Sequence, residues 1–117
     1  MQTPNLLTIK LPIKISANKI YAGAHFATRN KLKKDFYLIV NSQTKYKVPY
    51  EKFEIEFNFF WQKNVPDADN NYLIAKMILD IITDGNDGWQ RCKGVTYRSN
   101  RSVLEFDYVE ISVVQYA

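Results

Sequence analysis

The stretch Phe53-Glu54-Ile55-Glu56-Phe57-Asn58-Phe59-Phe60-Trp61 decides the architecture. Phe53, Ile55, Phe57 and Phe59 alternate with Lys52, Glu54, Glu56 and Asn58. A strict period of two places the aromatic and branched residues on one side of an extended chain, so the stretch predicts a half-buried strand. A polar loop, Gln62 to Asp69, follows. The period then changes. Leu73, Ile74, Met77, Ile78, Ile81 and Ile82 form one broad apolar face, with Lys76, Asp80 and Asp84 as a stripe on the other side. That spacing predicts a helix capped by Asp69 or Asn70 and stopped at Gly85. Asp84-Gly85-Asn86-Asp87-Gly88 is a turn-rich loop.

Upstream, Leu7, Ile9, Leu11, Ile13 and Ile15 alternate with polar residues and predict a first strand. Pro12 cannot donate to a ladder, which suggests an edge position or a bulge. Ser16 to Gly23 has no period and reads as a loop. From Thr28 or Asn30, either of which can cap a helix, Leu32, Phe36, Ile39 and Val40 take helical spacing. Downstream, Val95 to Arg98 and Val103 to about Val114 predict two more strands, with Ser99-Asn100-Arg101-Ser102 as a hairpin turn between them. The last strand shifts phase near Tyr108-Val109. The expected order is β-α-β-α-β-β, an α/β chain with a mixed sheet in a single layered domain over residues 1–117.

Composition narrows the classes. Of the 117 residues 46% are hydrophobic and 15% aromatic, enough for a core, and low-complexity disorder is not expected. The longest apolar run, Tyr37-Leu38-Ile39-Val40, is far too short to span a membrane. Met1 to Asn5 lacks the pattern of a secretory signal. A single cysteine, Cys92, excludes an internal disulfide, and a single histidine, His25, excludes a His-pair zinc site. A reduced, cytoplasmic setting fits, and any metal would need mainly oxygen ligands.

Charge is uneven. Residues 1–50 hold nine Lys/Arg and one acid, 51–90 hold three and eight, and 91–117 hold four and three, for a net charge of +4. Basic ends around an acidic centre suggest a polyanion partner, with an ordinary solvated surface as the plain alternative. Arg29, Lys31, Lys33 and Lys34 crowd the start of the first helix, where cations oppose the helix dipole. An anion held there would offset that cost.

Asp67-Ala68-Asp69-Asn70 lies where the strong strand has ended and a helix begins. Two carboxylates in one turn suit Mg²⁺, which takes oxygen ligands, usually one or two carboxylates with substrate phosphate. Asp87 is a possible third ligand if its loop turns back along the helix. Turn and cap roles account for the same three residues, and spacing alone favours that plainer reading. Lys76, with Asp80 four residues on, is either a solvated helix cation or a charge placed beside a scissile phosphate. Trp61 and Trp89 flank the acidic loops, as packing residues or, less expectedly, as stacking surfaces for bases. Cys92 is expected to be buried and inert, and His25 to be a loop or capping residue.

Taken together, these pieces resemble the RusA-type Holliday-junction resolvases, small endodeoxyribonucleases common in phages and prophages. The resemblance covers nearly the whole chain. It rests on a strand leading into Pro12, then Ser16-Ala17-Asn18-Lys19-Ile20-Tyr21, a basic first helix, Pro66-Asp67-Ala68-Asp69-Asn70, Lys76-Met77-Ile78-Leu79-Asp80, and Asn86-Asp87-Gly88-Trp89. It implies a homodimer that nicks four-way DNA junctions symmetrically in recombination and repair. Asp67, Asp69 and Asp87 would be catalytic and hold Mg²⁺, with Mn²⁺ as a possible substitute. Lys76 would neutralise the transition state, Asn70 would orient a carboxylate or cap the helix, and Lys19, Arg29, Lys31, Lys33 and Lys34 would grip DNA. Two features depart from the family pattern. Asn86 stands where the acidic loop usually has the first of two adjacent acids, and Lys76 lies about three residues further from Asp67 than the family spacing. The alternative is a non-catalytic branched-DNA-binding protein with a degenerate metal site.

Overall fold

The computed structural model describes residues 4–11 and 26–116, with the backbone alone at 26–30 and 32. Its elements run β1 (Asn5–Lys10), α1 (Phe26–Gln43), β2 (Phe53–Trp61), a short 3-10 turn (Ala68–Asn71), α2 (Tyr72–Thr83), β3 (Cys92–Arg101) and β4 (Tyr108–Gln115). They form an α+β domain, two helices on a four-stranded mixed sheet of order β1-β4-β2-β3.

The alternation in β2 sets the layers. Phe53, Ile55, Phe57, Phe59 and Trp61 are all buried, and Glu54, Glu56, Asn58 and Phe60 point the other way. Ile111, Val113 and Val109 of β4 stand beside Phe57, Ile55 and Phe59 and extend the apolar face. Ile74, Ile78 and Ile82 of α2, with Phe36 and Val40 of α1, complete the core. Each of these large side chains contributes about 1.5–3 kcal/mol by leaving water. The opposite sheet face is polar, with Glu54, Glu56, Asn58, Glu110 and Ser112 in adjacent rows.

β1 is an edge strand that pairs only with β4 among the described strands. Gln43 at the end of α1 fastens it, donating to the Lys10 carbonyl at 2.8 Å and accepting from the Lys10 N–H at 2.7 Å. The expected continuation of this strand, Pro12 with it, lies outside the described residues, as do the Ser16–Gly23 loop, Lys19 and His25. α1 begins at Phe26, so Thr28 and Asn30 are inside the helix rather than at its cap.

The expected β3–β4 hairpin does not exist. β3 runs parallel to β2 along its whole length, from Phe53↔Cys92 to Trp61↔Arg101, while β4 lies antiparallel on the other side of β2. Ser99, Asn100 and Arg101 have turn composition, yet their backbone is satisfied in the ladder beside Phe59, Phe60 and Trp61. The true connection, Ser102 to Asp107, crosses the end of β2. Ser102 N–H donates to the Trp61 carbonyl at 2.9 Å, and the Asp107 carboxylate accepts from Gln62 N–H at 2.8 Å. The phase shift near Tyr108-Val109 marks the start of β4, where both residues are buried and Tyr108 stacks on Phe60 at 4.6 Å.

No helix among the described residues is long and apolar enough to cross a membrane.

Candidate functional site

α2 is the return element between parallel strands, so it links the two ends of the β2–β3 pair. Asp67 and Asp69 follow the C-terminal end of β2, and Asp87 precedes the N-terminal end of β3, whose first residue pairs with Phe53. The helix itself does not start at Asp69 or Asn70. The 3-10 turn Ala68–Asn71 comes first, and α2 begins at Tyr72 with Asn71 at its cap position. The helix thus starts later than the apolar spacing predicts. Asp67 occupies the cap position of the 3-10 turn in an extended conformation and makes no side-chain capping bond. Asp67, Asp69 and Asn70 are partly or fully open to solvent, and Asn70 uses its backbone N–H on the Asp67 carbonyl at 3.0 Å.

The buried polar residue of this segment is Asn71, at 1% exposure. Its side-chain oxygen accepts from the Trp61 indole at 3.2 Å, and its amide donates to Ser99 Oγ at 2.8 Å. Sequence reasoning stopped one residue short, at Asn70. The available signal was Trp61, whose indole N–H needs an acceptor once the ring is buried. Asn71 therefore ties the end of β2, the head of α2 and β3 together, and holds the turn that carries Asp67 and Asp69.

At the other end, α2 closes in a left-handed turn. Asp84 (φ 52°) and Gly85 (φ 81°) both adopt positive φ, and Gly85 N–H reaches the Asp80 carbonyl at 2.9 Å. This is a Schellman closure in which Asp84 takes the first left-handed position, which Asp tolerates better than most side chains. Lys47 reinforces it, donating to the Ile81 carbonyl at 2.6 Å and the Asp84 carboxylate at 3.0 Å, a cation at a helix C-terminus.

The reversal folds the following loop back along the helix. Asp87, only 13% exposed in its side chain, meets Lys76, whose ammonium also reaches Asp80 at 2.9 Å. Burial acts to lower the Lys76 pKa, but hydrogen bonds and charge from Asp87 and Asp80 outweigh it, so the group is held protonated well above its usual range. Cys92 lies close by, half-buried. Burial pushes its thiol up, with the Asp87 charge adding to the effect, so it is a poor nucleophile at neutral pH. Asn86 is exposed, and its carbonyl accepts from Arg91 at 2.6 Å.

The structure thus brings Asp87, Lys76 and Asp80 together and leaves Asp67 and Asp69 apart from them. Among the described residues no group of three acidic, histidine or cysteine side chains stands ready to hold an ion. The three aspartates as placed do not fit one magnesium site, because the carboxylate of Asp87 is already compensated by an ammonium. Of the basic residues, Lys31, Lys33 and Lys34 are exposed on α1, Arg29 lies in its first turn, and Lys19 is outside the described residues. Trp61 is core, at 2% exposure, and Trp89 is open to solvent, at 77%.

No protein-family model matches the chain, and no curated protein compared with it is similar at a significant level.

Proposed function

We propose that the chain is a structure-specific endodeoxyribonuclease of the RusA type, acting on four-way DNA junctions in the cytoplasm. One observation carries the reading. Asp67 and Asp69 are both exposed on the turn between β2 and α2, where the resemblance implies two metal-holding carboxylates. The order strand, Asp67/Asp69, helix with Lys76, then Asp87 supports it further, as do the exposed lysines of α1. A junction with two-fold symmetry calls for two equivalent cuts, which makes a two-fold dimer the natural assembly. Magnesium, or manganese in its place, is the cofactor of this reading. It would be held by Asp67 and Asp69 alone, since Asp87 is taken up by Lys76. The chain's own part is to grip the backbone through Lys31, Lys33 and Lys34 and to offer the exposed pair Asp67 and Asp69.

A second reading, a branched-DNA-binding protein without cleavage, is favoured by the Lys76–Asp87 pair. That contact withholds one carboxylate from any ion.

The test is a labelled four-way junction incubated with the protein in Mg²⁺ and in Mn²⁺. Paired symmetric nicks that vanish in Asp69→Asn, with junction affinity retained, support the nuclease. Tight, salt-sensitive binding without product in either metal selects the second reading. Absence of junction binding removes both.

A further inference from the structure

The end of the sheet where β2 and β3 begin carries a surface that the reading above does not use. Two backbone segments are pinned side by side there. Val48 N–H donates to the Ile82 carbonyl at 2.8 Å, and Phe53 N–H donates to the Arg91 carbonyl at 2.9 Å. The Arg91 guanidinium binds the Pro49 and Asn86 carbonyls at 2.8 and 2.6 Å. These contacts fix Tyr50 and Trp89 on neighbouring loops, yet the two rings are 80% and 77% exposed. Each ring has a cation on it: Arg91 lies 4.6 Å from the Tyr50 centroid and Lys93 lies 5.2 Å from that of Trp89. The packing demand of the core is met elsewhere, by Trp61 and four phenylalanines. Two large aromatics left in water call for another account.

Charge selects the occupant. Arg91 and Lys93 lie on the rings and Lys52 is two residues from Tyr50; of the nearby acids in sequence, Asp84 is paired with Lys47 and Asp87 with Lys76, which leaves Glu51. Exposed π faces interleaved with cations suit a polyanion that carries flat bases, because base stacking works for any unpaired base and lysine neutralises the intervening phosphates. A closed duplex offers no free base face. We infer that Tyr50 and Trp89, flanked by Lys52 and Lys93, form a contact surface for unpaired single-stranded DNA, of the kind exposed where strands open at a branch point. The inference deepens the junction reading and rests on it for the choice of DNA.

The two tryptophans provide the readout, since Trp61 is sealed in the core and Trp89 faces solvent. A fifteen-residue oligo(dT) added to the whole protein should quench the Trp89 emission, and a duplex of equal length should not. Trp89→Ala should abolish the quench. Tyr50→Ala should weaken oligo(dT) binding by about ten-fold, the scale of one lost base stack. Lys93→Gln, which leaves both rings in place, should lower the salt slope by about one. Oligo(dT) affinity unchanged in the Tyr50→Ala/Trp89→Ala double variant overturns the surface, and so does equal quenching by duplex. If the junction still binds when oligo(dT) does not, this inference fails and the junction reading stands. If oligo(dT) binds through the rings and the junction is not preferred over duplex, the junction reading fails and the surface stands.

Discussion

Lys76 on α2 and Asp87 in the loop before β3 form an ion pair across eleven residues of chain, with Asp80 sharing the same ammonium. The pair holds the loop down against the helix. Its energetic weight is modest, because the lysine side chain is 39% exposed and solvent screens the attraction.

Replacing Lys76 by Met should lower stability by about 1 kcal/mol or less, after discounting for that screening. The pH dependence has a definite sign. The folded-state pKa of Lys76 is raised, so the ammonium's contribution is fully present below the unfolded lysine value of about 10.4 and fades as pH climbs through the higher folded value. Urea unfolding of wild type and Lys76→Met should show a constant gap from pH 7 to about 10 and a shrinking one above it. A gap that closes near neutral pH would contradict the pair.

Asn71→Ala should be far more damaging. It removes the Asn71 hydrogen bonds to the Trp61 indole and to Ser99 and opens a buried gap, at a cost of about 1–3 kcal/mol. Chemical denaturation measures the loss. Asn70→Ala, one residue away on the exposed side, should stay within about 0.5 kcal/mol of wild type.

Phe57→Ala removes a fully buried ring from the central strand, stacked against Phe59 and Tyr97. The expected cost is about 3–5 kcal/mol, enough to shift the thermal midpoint by many degrees or to prevent folding.

Cys92 should react slowly with a thiol reagent at pH 7, faster as pH rises, and fastest in denaturant, because burial holds its thiol protonated. Rapid labelling of the native protein at neutral pH would show an open, activated thiol instead.

Much of the fold was legible because the apolar pattern was strong. β2 and α2 read directly from their periods, since one face of each packs into the same core. The partner of β3 was not legible. Parallel pairing with β2 depends on where α2 returns the chain, and no local residue records that. Ser99 to Ser102 therefore looked like a turn although its backbone belongs to the ladder. The site divides in the same way. Asp67, Asp69 and Asp87 stood out as carboxylates at the two ends of α2, where turn chemistry alone accounts for them. That Asp87 meets Lys76 follows from the left-handed closure at Asp84 and Gly85, a tertiary outcome that spacing only permitted. Asn71 was missed because an asparagine beside another asparagine carries no sign of which one is buried.

The central place of β4 has a consequence for synthesis on the ribosome. Leu7 is made early, and its ladder partner Ile111 emerges more than a hundred residues later, roughly 5–20 s behind at ordinary elongation rates. Through that interval the nascent β1 has α1 beside it but lacks its strand partner, and β2 lacks one of its two. The sheet thus closes in a single late event, and a chain stalled before Tyr108 would present two hydrophobic strand edges to whatever chaperone meets it.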